Sequence, residues 1–185
     1  MSVVQYNATW ARTLADNLRR PVVVSPGSRS TPLVLAYAAQ PNVELHCVLD
    51  ERSAGFFALG LARATGRAAV LICTSGSAVA HYLPALAEAN ASHVPLVVLT
   101  ADRPPELHHC GAPQTMDQNR IFGAHVRWFC DIGAPHGDVS PRWLRTVAAQ
   151  ALDHAEGAQP GPVHINVPMR EPLWEPDSDA ASGLA

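Results

Sequence analysis

Short runs of apolar residues alternate along this chain with longer segments that have the periodicity of helices. Six of these runs predict strands, at residues 22–25, 44–49, 68–74, 95–100, 126–132 and 163–167. Five other segments predict helices, at residues 7–19, 31–39, 51–65, 77–90 and 141–156. Strands that are apolar throughout and separated by helices are typical of a parallel sheet covered on both faces. The sequence therefore predicts an α/β fold: a doubly wound, six-stranded, mostly parallel sheet with helices on both faces.

Proline and glycine indicate where two of these helices begin, break or end. Ser140 is suited to cap the last predicted helix, Pro141 fits its first turn, and Gly157 should end it. Pro84 lies inside the fourth predicted helix, where it removes a backbone donor. We expect it to kink that helix or to confine it to an irregular turn.

The chain has 185 residues, enough for one domain. We expect residues 1–170 to form that domain. Residues 171–185 are rich in proline, aspartate, serine and alanine, which indicates a linker or an exit from the domain.

The basic residues narrow the possible chemistry. All 13 are arginine, so the chain has no lysine for a Schiff base or a Walker A loop. The net charge of −3 argues against a surface for nucleic acid or an anionic membrane. No apolar run approaches the roughly 18 residues that cross a bilayer, and the N-terminus lacks the layout of a signal peptide. We expect a cytoplasmic protein that holds no metal ion with its own side chains.

Four polar clusters directly follow four of the predicted strands. They lie at residues 25–30, 50–52, 74–77 and 101–105. The carboxyl ends of parallel strands lie along one edge of a sheet, where open α/β folds bind their ligands. We therefore expect these four segments to converge on one site.

Local sequence leaves two interpretations open for each of the first three clusters. Residues 25–30 suit a turn with a helix cap, or an anion site in which Arg29 favours a carboxylate or phosphate. Residues 74–77 suit an amide-lined turn or a cap. Asp50 and Glu51 suit a functional site, or they merely complement the positive end of the helix dipole that follows.

The fourth cluster is the most distinctive. Pro104 and Pro105 stiffen the chain after Arg103 and fix where its guanidinium group starts. The alternative is a surface salt bridge between Asp102 and Arg103. Together with Arg29 at the same edge, Arg103 indicates an acidic substrate.

In their order and spacing, these clusters resemble a known family. The chain is similar to the N-terminal, pyrimidine-binding domain of the 2-succinyl-5-enolpyruvyl-6-hydroxy-3-cyclohexene-1-carboxylate synthases, which are thiamine-diphosphate enzymes. Related decarboxylases and acetolactate synthases share only the glutamate segment and a looser Thr-Ser-Gly turn. The likeness runs from about residue 22 to residue 174. The matching segments are Ser-Pro-Gly-Ser-Arg-Ser-Thr-Pro-Leu (25–33), Asp-Glu-Arg-Ser-Ala-Gly-Phe (50–56), Thr-Ser-Gly-Ser-Ala-Val-Ala (74–80), Leu-Thr-Ala-Asp-Arg-Pro-Pro-Glu-Leu (99–107), Cys-Gly-Ala-Pro-Gln (110–114) and Val-His-Ile-Asn-Val-Pro (163–168).

The resemblance implies thiamine diphosphate and Mg²⁺ as cofactors. Such enzymes decarboxylate 2-oxoglutarate and add the four-carbon carbanion equivalent to isochorismate in menaquinone biosynthesis. Glu51 matches the catalytic glutamate, which bonds N1′ of the aminopyrimidine and favours its imino form. Pro26, Thr74 and Ser75 match positions that contact the cofactor.

The resemblance also implies a set of substrate contacts. Ser28 and Arg29 match residues that touch the substrates, and Arg103 and Gln114 match residues that hold substrate carboxylate and hydroxyl groups. Pro113 departs from the family, which often has asparagine at this position, and the change removes an amide donor.

The resemblance implies that the other half of the active site lies elsewhere. The family's Gly-Asp-Gly motif and its later asparagine, which hold the diphosphate and Mg²⁺, are absent. We expect the C-terminal domains of the same enzyme to supply them across a homo-oligomer, a dimer or tetramer, and the chain alone to be inactive. The small residues of the predicted helix at 51–65 permit a neighbouring helix, from this or another subunit, to approach closely. The alternatives are another thiamine-dependent 2-oxo acid decarboxylase or synthase, or a non-catalytic anion-binding α/β module.

Overall fold

A six-stranded parallel sheet forms the centre of the molecule. The computed structural model describes residues 1–175. The spatial order of the strands is β2-β1-β3-β4-β6-β5, and every neighbouring pair runs parallel. The predicted fold class is confirmed, and all six predicted strands are present with ends that shift by a few residues. The strands are β1 (Val22–Val24), β2 (Leu45–Cys47), β3 (Ala69–Cys73), β4 (Leu96–Asp102), β5 (Phe129–Asp131) and β6 (Pro162–Pro168).

Six α-helices cover the sheet in this part of the chain. Those predicted at 51–65 and 141–156 have the expected bounds, and Ser140 caps the latter by accepting a hydrogen bond from the Arg142 amide. Gly157 ends that helix, as expected. The helices are α1 (Val3–Asn17), α2 (Thr31–Ala38), α3 (Glu51–Thr65), α4 (Ser77–Ala80), α5 (Leu83–Ala91) and α6 (Pro141–Glu156).

Helix α1 begins four residues earlier than predicted. Ser2 and Gln5 form a capping box, in which the Ser2 side chain accepts from the Gln5 amide and the Gln5 side chain accepts from the Ser2 amide. This arrangement satisfies two backbone donors and stabilises the first turn. The Ser-x-x-Gln pattern at residues 2–5 indicates this helix start, which the apolar periodicity alone does not show.

The helix predicted at 77–90 is two helices in the structure. Helix α4 ends at Ala80, and α5 begins at Leu83 with Pro84 in its first turn. A first turn is where proline is tolerated, because its missing N–H would have no partner there. The break that Pro84 predicted is therefore confirmed.

Alternate residues of each central strand pack into different cores. Val22 and Val24 of β1 face the core that lies beneath α1, α2 and α6. Val23 faces the second core, beneath α3 and α5. A strand that is buried on both faces reads as an unbroken apolar run, which explains why these strands could be recognised in the sequence.

The small residues of α3 pack within the same chain. A Cβ atom at Gly55 would lie 2.9 Å from the Cβ atom of Ala85 on α5, so the close neighbour is a helix of this domain. The opposite side of α3 exposes Phe56 and Phe57, each by about 45% of its surface (46% and 45%). Leu49, just before the helix, is 79% exposed. The surface formed by Leu49, Phe56 and Phe57 is called the α3 apolar surface below.

Residues 171–175 remain in contact with the domain. The Asn7 side-chain amide donates to the carbonyl groups of Arg170 and Pro172, at 2.7 and 3.2 Å, and Leu173 is buried. The rest of the predicted linker, residues 176–185, lies outside the described residues, so the linker stays a prediction. Across residues 1–175, no helix combines the length and the apolarity needed to cross a bilayer.

Candidate active site

The four polar clusters converge where the order of the sheet reverses. Strand β1 lies between β2 and β3; the chain leaves β1 toward β2 and leaves β3 toward β4 on the other side, so the loops that follow β1 and β3 diverge at this point. Such a reversal opens a crevice outside the carboxyl ends of the strands. The convergence that the sequence predicted is present in the fold.

The loop after β1 packs directly on the turn after β3. The Ser25 amide donates to the Ile72 carbonyl at 2.9 Å, and the Ser25 hydroxyl donates to the Val48 carbonyl at 3.0 Å. A Cβ atom at Gly27 would lie only 2.4 Å from the Cβ atom of Thr74. Glycine is therefore required at position 27 because the two loops touch there.

Replacing Gly27 by alanine is expected to destabilise the domain by about 1–3 kcal/mol, since the new methyl group must displace Thr74. The matched control is Gly60→Ala on α3, where a Cβ atom would meet nothing within 4 Å. That change should stabilise the domain by about 0.5–1 kcal/mol through helix propensity. Urea unfolding of the two variants and the wild type measures both effects, and equal shifts in the same direction would contradict the packing argument.

Asp50 and Glu51 have different roles at the start of α3. Asp50 is the helix cap: one of its carboxylate oxygens accepts from the Ser53 amide at 2.8 Å, which lowers the pKa of Asp50. Glu51 is partly buried in the first turn of the helix. Within residues 1–175, its carboxylate makes no hydrogen bond or ion pair. Of the two acidic residues, only Glu51 is free to bind a ligand.

The charge of Glu51 acts on the end of β3. Burial is the main cause of the raised pKa of the Cys73 thiol, and the negative charge of Glu51 raises it further. The pKa of Tyr82 is raised in the same way, chiefly by burial and to a smaller extent by Glu51. The first turn of α3 therefore lies close to the carboxyl end of β3.

Arg103 joins the turn after β3 to the loop that carries Gln114. Its guanidinium group donates to the Ser75 hydroxyl and, at 3.1 Å, to the Gln114 carbonyl. Asp102 instead accepts from the backbone amide of Arg103 and is only 1% exposed. The alternative of a surface salt bridge between Asp102 and Arg103 is therefore wrong, because the aspartate is occupied inside the domain.

Arg29 is buried beneath the loop after β1. Its guanidinium group donates to the Met169 carbonyl at 2.8 Å and to the Glu171 carboxylate at 2.7 Å. The Nε atom of Arg29 is buried and has no partner among the described residues. One donor of this cation is therefore unmatched inside the domain among these residues.

The two arginines lie close enough to influence each other. Partial burial is the main cause of the lowered pKa of Arg103, and the positive charge of Arg29 is the next cause. Glu171 opposes this shift with its negative charge. Two guanidinium groups that repel each other, of which only Arg29 is paired with a carboxylate, favour the presence of an anion nearby.

The other predicted site residues surround these groups. Pro26 and Ser28 are exposed on the loop after β1, and Thr74 and Ser75 form the buried turn after β3. Gln114 is exposed and has a positive φ of 53°. The structure thus brings Ser75, Arg103 and Gln114 into contact, whereas Arg29 contacts none of these three directly.

A buried polar network that the sequence analysis missed lies beneath this edge. The side-chain amide of Asn166 donates to both Asp102, at 2.9 Å, and Asp131, at 2.7 Å. Its oxygen accepts from the Thr100 hydroxyl at 2.8 Å and from Gln118 at 2.9 Å. All four hydrogen-bonding positions of the amide are used.

His164 completes the network in a fixed neutral form. Its Nε2 atom lies 2.7 Å from the Thr100 hydroxyl, whose only hydrogen is donated to Asn166. His164 must therefore carry its proton on Nε2 and donate to Thr100. Its Nδ1 atom is buried and has no partner among residues 1–175. Burial lowers the pKa of His164 to about 3.

Candidate metal ligands do not cluster in the described part of the chain. Across residues 1–175, no group of three or more histidine, cysteine, aspartate or glutamate side chains could hold a metal ion. His108 and His109, which are adjacent in sequence, have ring centroids 6.2 Å apart.

The open parallel sheet and the polar clusters at the carboxyl ends of its strands define a ligand-binding α/β domain. The profile of the family described as "Thiamine pyrophosphate enzyme, N-terminal TPP binding domain" matches residues 5–121, and the chain belongs to this family. More particularly, it is similar to proteins named 2-succinyl-5-enolpyruvyl-6-hydroxy-3-cyclohexene-1-carboxylate synthase, so the resemblance drawn from the motifs is confirmed.

Three of these relatives show how far the similarity extends. The chain is 55% identical to the protein of Chloroflexus aurantiacus over 93% of its own length. It is 52% identical to that of Haloarcula marismortui over 94%, and 53% identical to that of Geobacillus kaustophilus over 90%. The match covers 29%, 30% and 30% of the three relatives, respectively. The chain therefore spans less than a third of the length of these curated relatives.

Proposed function

We propose that this chain is the pyrimidine-binding half of an active site that uses thiamine diphosphate and Mg²⁺ to join 2-oxoglutarate to isochorismate. The enzyme would be a carbon–carbon bond-forming transferase of menaquinone biosynthesis, with the cytoplasm as its expected location. The observation that carries the proposal is the sheet edge itself. It presents a carboxylate that has no partner among residues 1–175, on Glu51, and a partly exposed guanidinium group, on Arg103, with the buried guanidinium group of Arg29 nearby.

The residues at this edge fit the aminopyrimidine end of the cofactor. Glu51 is partly buried and, among the described residues, unpaired, which suits a carboxyl group that shares a proton with a ring nitrogen. When bound, the cofactor supplies the stabilised carbanion that a side chain cannot provide. Pro26, Thr74 and Ser75 would line the ring from the two loops that touch at Gly27.

The substrate side of the proposal depends on arginine. Both substrates are acids, and a guanidinium group binds a carboxylate with two parallel hydrogen bonds. Arg103 and Gln114 would hold carboxylate and hydroxyl groups, and Ser28 and Arg29 would contact the substrates from the loop after β1. The contacts of Arg103 support this assignment, because its partly exposed guanidinium group joins Ser75 to the exposed loop that carries Gln114.

The diphosphate and Mg²⁺ would be held by domains that this chain does not contain. The α3 apolar surface supports such a partner, since Phe56 and Phe57 project from the helix that begins with Glu51. Exposed aromatic side chains beside a site that lacks part of its residues are typical of an interface. We propose that the partner domains come from a homo-oligomer of the complete enzyme.

The test is a reaction assay in which the remaining domains are supplied, by the same polypeptide or by a second one. Loss of isochorismate should require 2-oxoglutarate, thiamine diphosphate and Mg²⁺ together, and omission of any one should stop it. Decarboxylation of a different 2-oxo acid would support the proposed cofactor and refute the proposed substrates. No reaction with any 2-oxo acid would favour the anion-binding module instead.

A further inference from the structure

Gln118 lies at the centre of the buried network and bridges three elements. It is fully buried. Its amide nitrogen donates to the Ala101 carbonyl of β4, at 3.2 Å, and to Asn166 of β6, at 2.9 Å. Its oxygen accepts from the backbone amide of Gly76, at 2.9 Å, in the turn after β3. One side chain thus ties the cofactor-side turn to two strands.

The orientation of the Gln118 amide is fixed by the charges below it. Burial raises the pKa of Asp102, but when Asp102 and Asp131 are ionised both only accept, so Asn166 must direct its nitrogen toward them. Its oxygen is therefore directed toward Gln118, which must donate. The Gln118 oxygen is left with a single orientation, toward the Gly76 amide. The two carboxylates thus determine which atom of Gln118 meets the turn.

The turn that Gln118 holds depends on a glycine. Gly76 has a φ of +82°, which L side chains rarely adopt, and a Cβ atom there would meet the backbone of Gln114 at 3.1–3.3 Å. Ser75 and the Gln114 carbonyl are joined by the Arg103 guanidinium. Two side chains therefore hold the turn: Arg103 contacts it at Ser75, and Gln118 contacts it at the Gly76 amide.

We propose that Gln118 is a positioning residue that fixes the Ser75–Gly76 turn and, through it, sets where Ser75 and Arg103 meet the ligands of this site. It touches neither cofactor nor substrate and acts only through the turn and the network. The effect on catalysis rests on the proposed function. The hydrogen bonds by which Gln118 holds the turn, called the Gln118 clamp, are a property of this chain alone.

The test replaces Gln118 by methionine, which keeps the unbranched shape and removes the amide. Amide hydrogen exchange on the 185-residue chain is the first readout. Protection of the Gly76 amide should fall by about 5–10-fold, the loss expected when one buried hydrogen bond is removed. Protection of Ile72 and Val98, in the neighbouring strands, should change less than protection of Gly76. Loss of protection by the same factor at all three amides would overturn the clamp, because it would indicate general destabilisation.

Gln118→Glu provides a rescue that a merely structural role would not produce. At acid pH its carboxyl group is protonated, so it can accept from Gly76 and donate to Asn166. As the pH rises, the group ionises and faces two acceptors, the Ala101 carbonyl and the Asn166 oxygen. Protection of Gly76 relative to Ile72 should be near that of the wild type in acid and should fall with rising pH. Protection that does not depend on pH would contradict the proposal.

The control is Gln150→Met, on the exposed side of α6, which should leave Gly76 unchanged. In the assembled enzyme, Gln118→Met should lower kcat by about 10–100-fold, as small misplacements of catalytic groups do. Faster Gly76 exchange in a protein whose wild type has no activity would refute the function and leave the clamp intact. Unchanged Gly76 exchange in an active enzyme would refute the clamp alone.

Discussion

Glu51→Gln is expected to lower turnover by at least about a hundredfold in the assembled enzyme, the effect of removing a group that transfers a proton in the rate-determining chemistry. Glutamine keeps the size of the side chain and can still form a hydrogen bond, but it cannot exchange a proton with a ring nitrogen. Because the Glu51 carboxylate has no protein partner within residues 1–175, the change should not disturb the fold. The only expected structural cost is the loss of a negative charge at the start of α3, which is about 0.3–1 kcal/mol.

Two measurements separate the catalytic role from a structural one. Turnover at saturating substrate and the free energy of unfolding should be compared for the wild type, Glu51→Gln and Glu88→Gln. Glu88 is exposed on α5 and provides the same change of charge away from the site. Activity of Glu51→Gln within about tenfold of the wild type would refute the assigned role. A loss of activity in proportion to a loss of folded protein would assign Glu51 to the fold.

The second large effect is a loss of stability in acid that originates at His164. Its pKa is lowered from 6.5 to about 3 in the folded protein because the ring is buried. Below pH 6.5 the unfolded chain binds a proton at this position and the folded chain does not. The contribution of His164 to the free energy of unfolding is therefore fully present above pH 6.5 and is lost as the pH falls toward 3. The loss is about 1.4 kcal/mol for each pH unit.

His164→Phe removes the titrating group and keeps an aromatic ring between Phe122 and Phe129, whose centroids lie 4.8 and 5.0 Å from that of His164. At pH 7.5 the variant should be less stable than the wild type by about 1 kcal/mol, the value of one hydrogen bond. As the pH falls below 6.5, the two unfolding free energies should converge and then cross. Urea unfolding at pH 7.5, 6.5, 5.5 and 4.5 measures this change. Parallel curves would show that another group causes the acid sensitivity. The matched control is His125→Phe, at an exposed histidine whose φ is not positive.

The sheet was predictable because its strands are buried on both faces. Runs such as Ala69–Cys73 contain no polar residue, and the helices between them have clear ends at Asp50 and Ser140. Strand ends were less certain, since β2 and β5 lie at the edges of the sheet and are only three residues long. An edge strand is paired on one side only, and its pattern fades into the neighbouring loops.

The site was predictable in its location and only partly in its contacts. The carboxyl ends of parallel strands lie along one edge whatever the strand order, so the convergence of the four clusters could be predicted without tertiary information. The partners of Arg29 could not be predicted, because Met169 and Glu171 are about 140 residues away in the sequence. The network had one visible signal: His164 and Asn166 interrupt an apolar strand, and buried polar residues require partners. Gln118 lies in an irregular loop and offered no such signal.

The double use of Asn166 by two carboxylates has a consequence for how sequences of this kind can change. A substitution at any one of its contacts leaves buried donors or acceptors unmatched, so the first change costs nearly as much as removal of several members together. Later changes in the same group should then cost little, and the individual effects should not add. Divergence at Asn166, Gln118, Thr100 and Asp102 should therefore proceed as a block. A lineage that loses this network would pass once through sequences of low stability. After that, all four positions could vary with little further loss of stability.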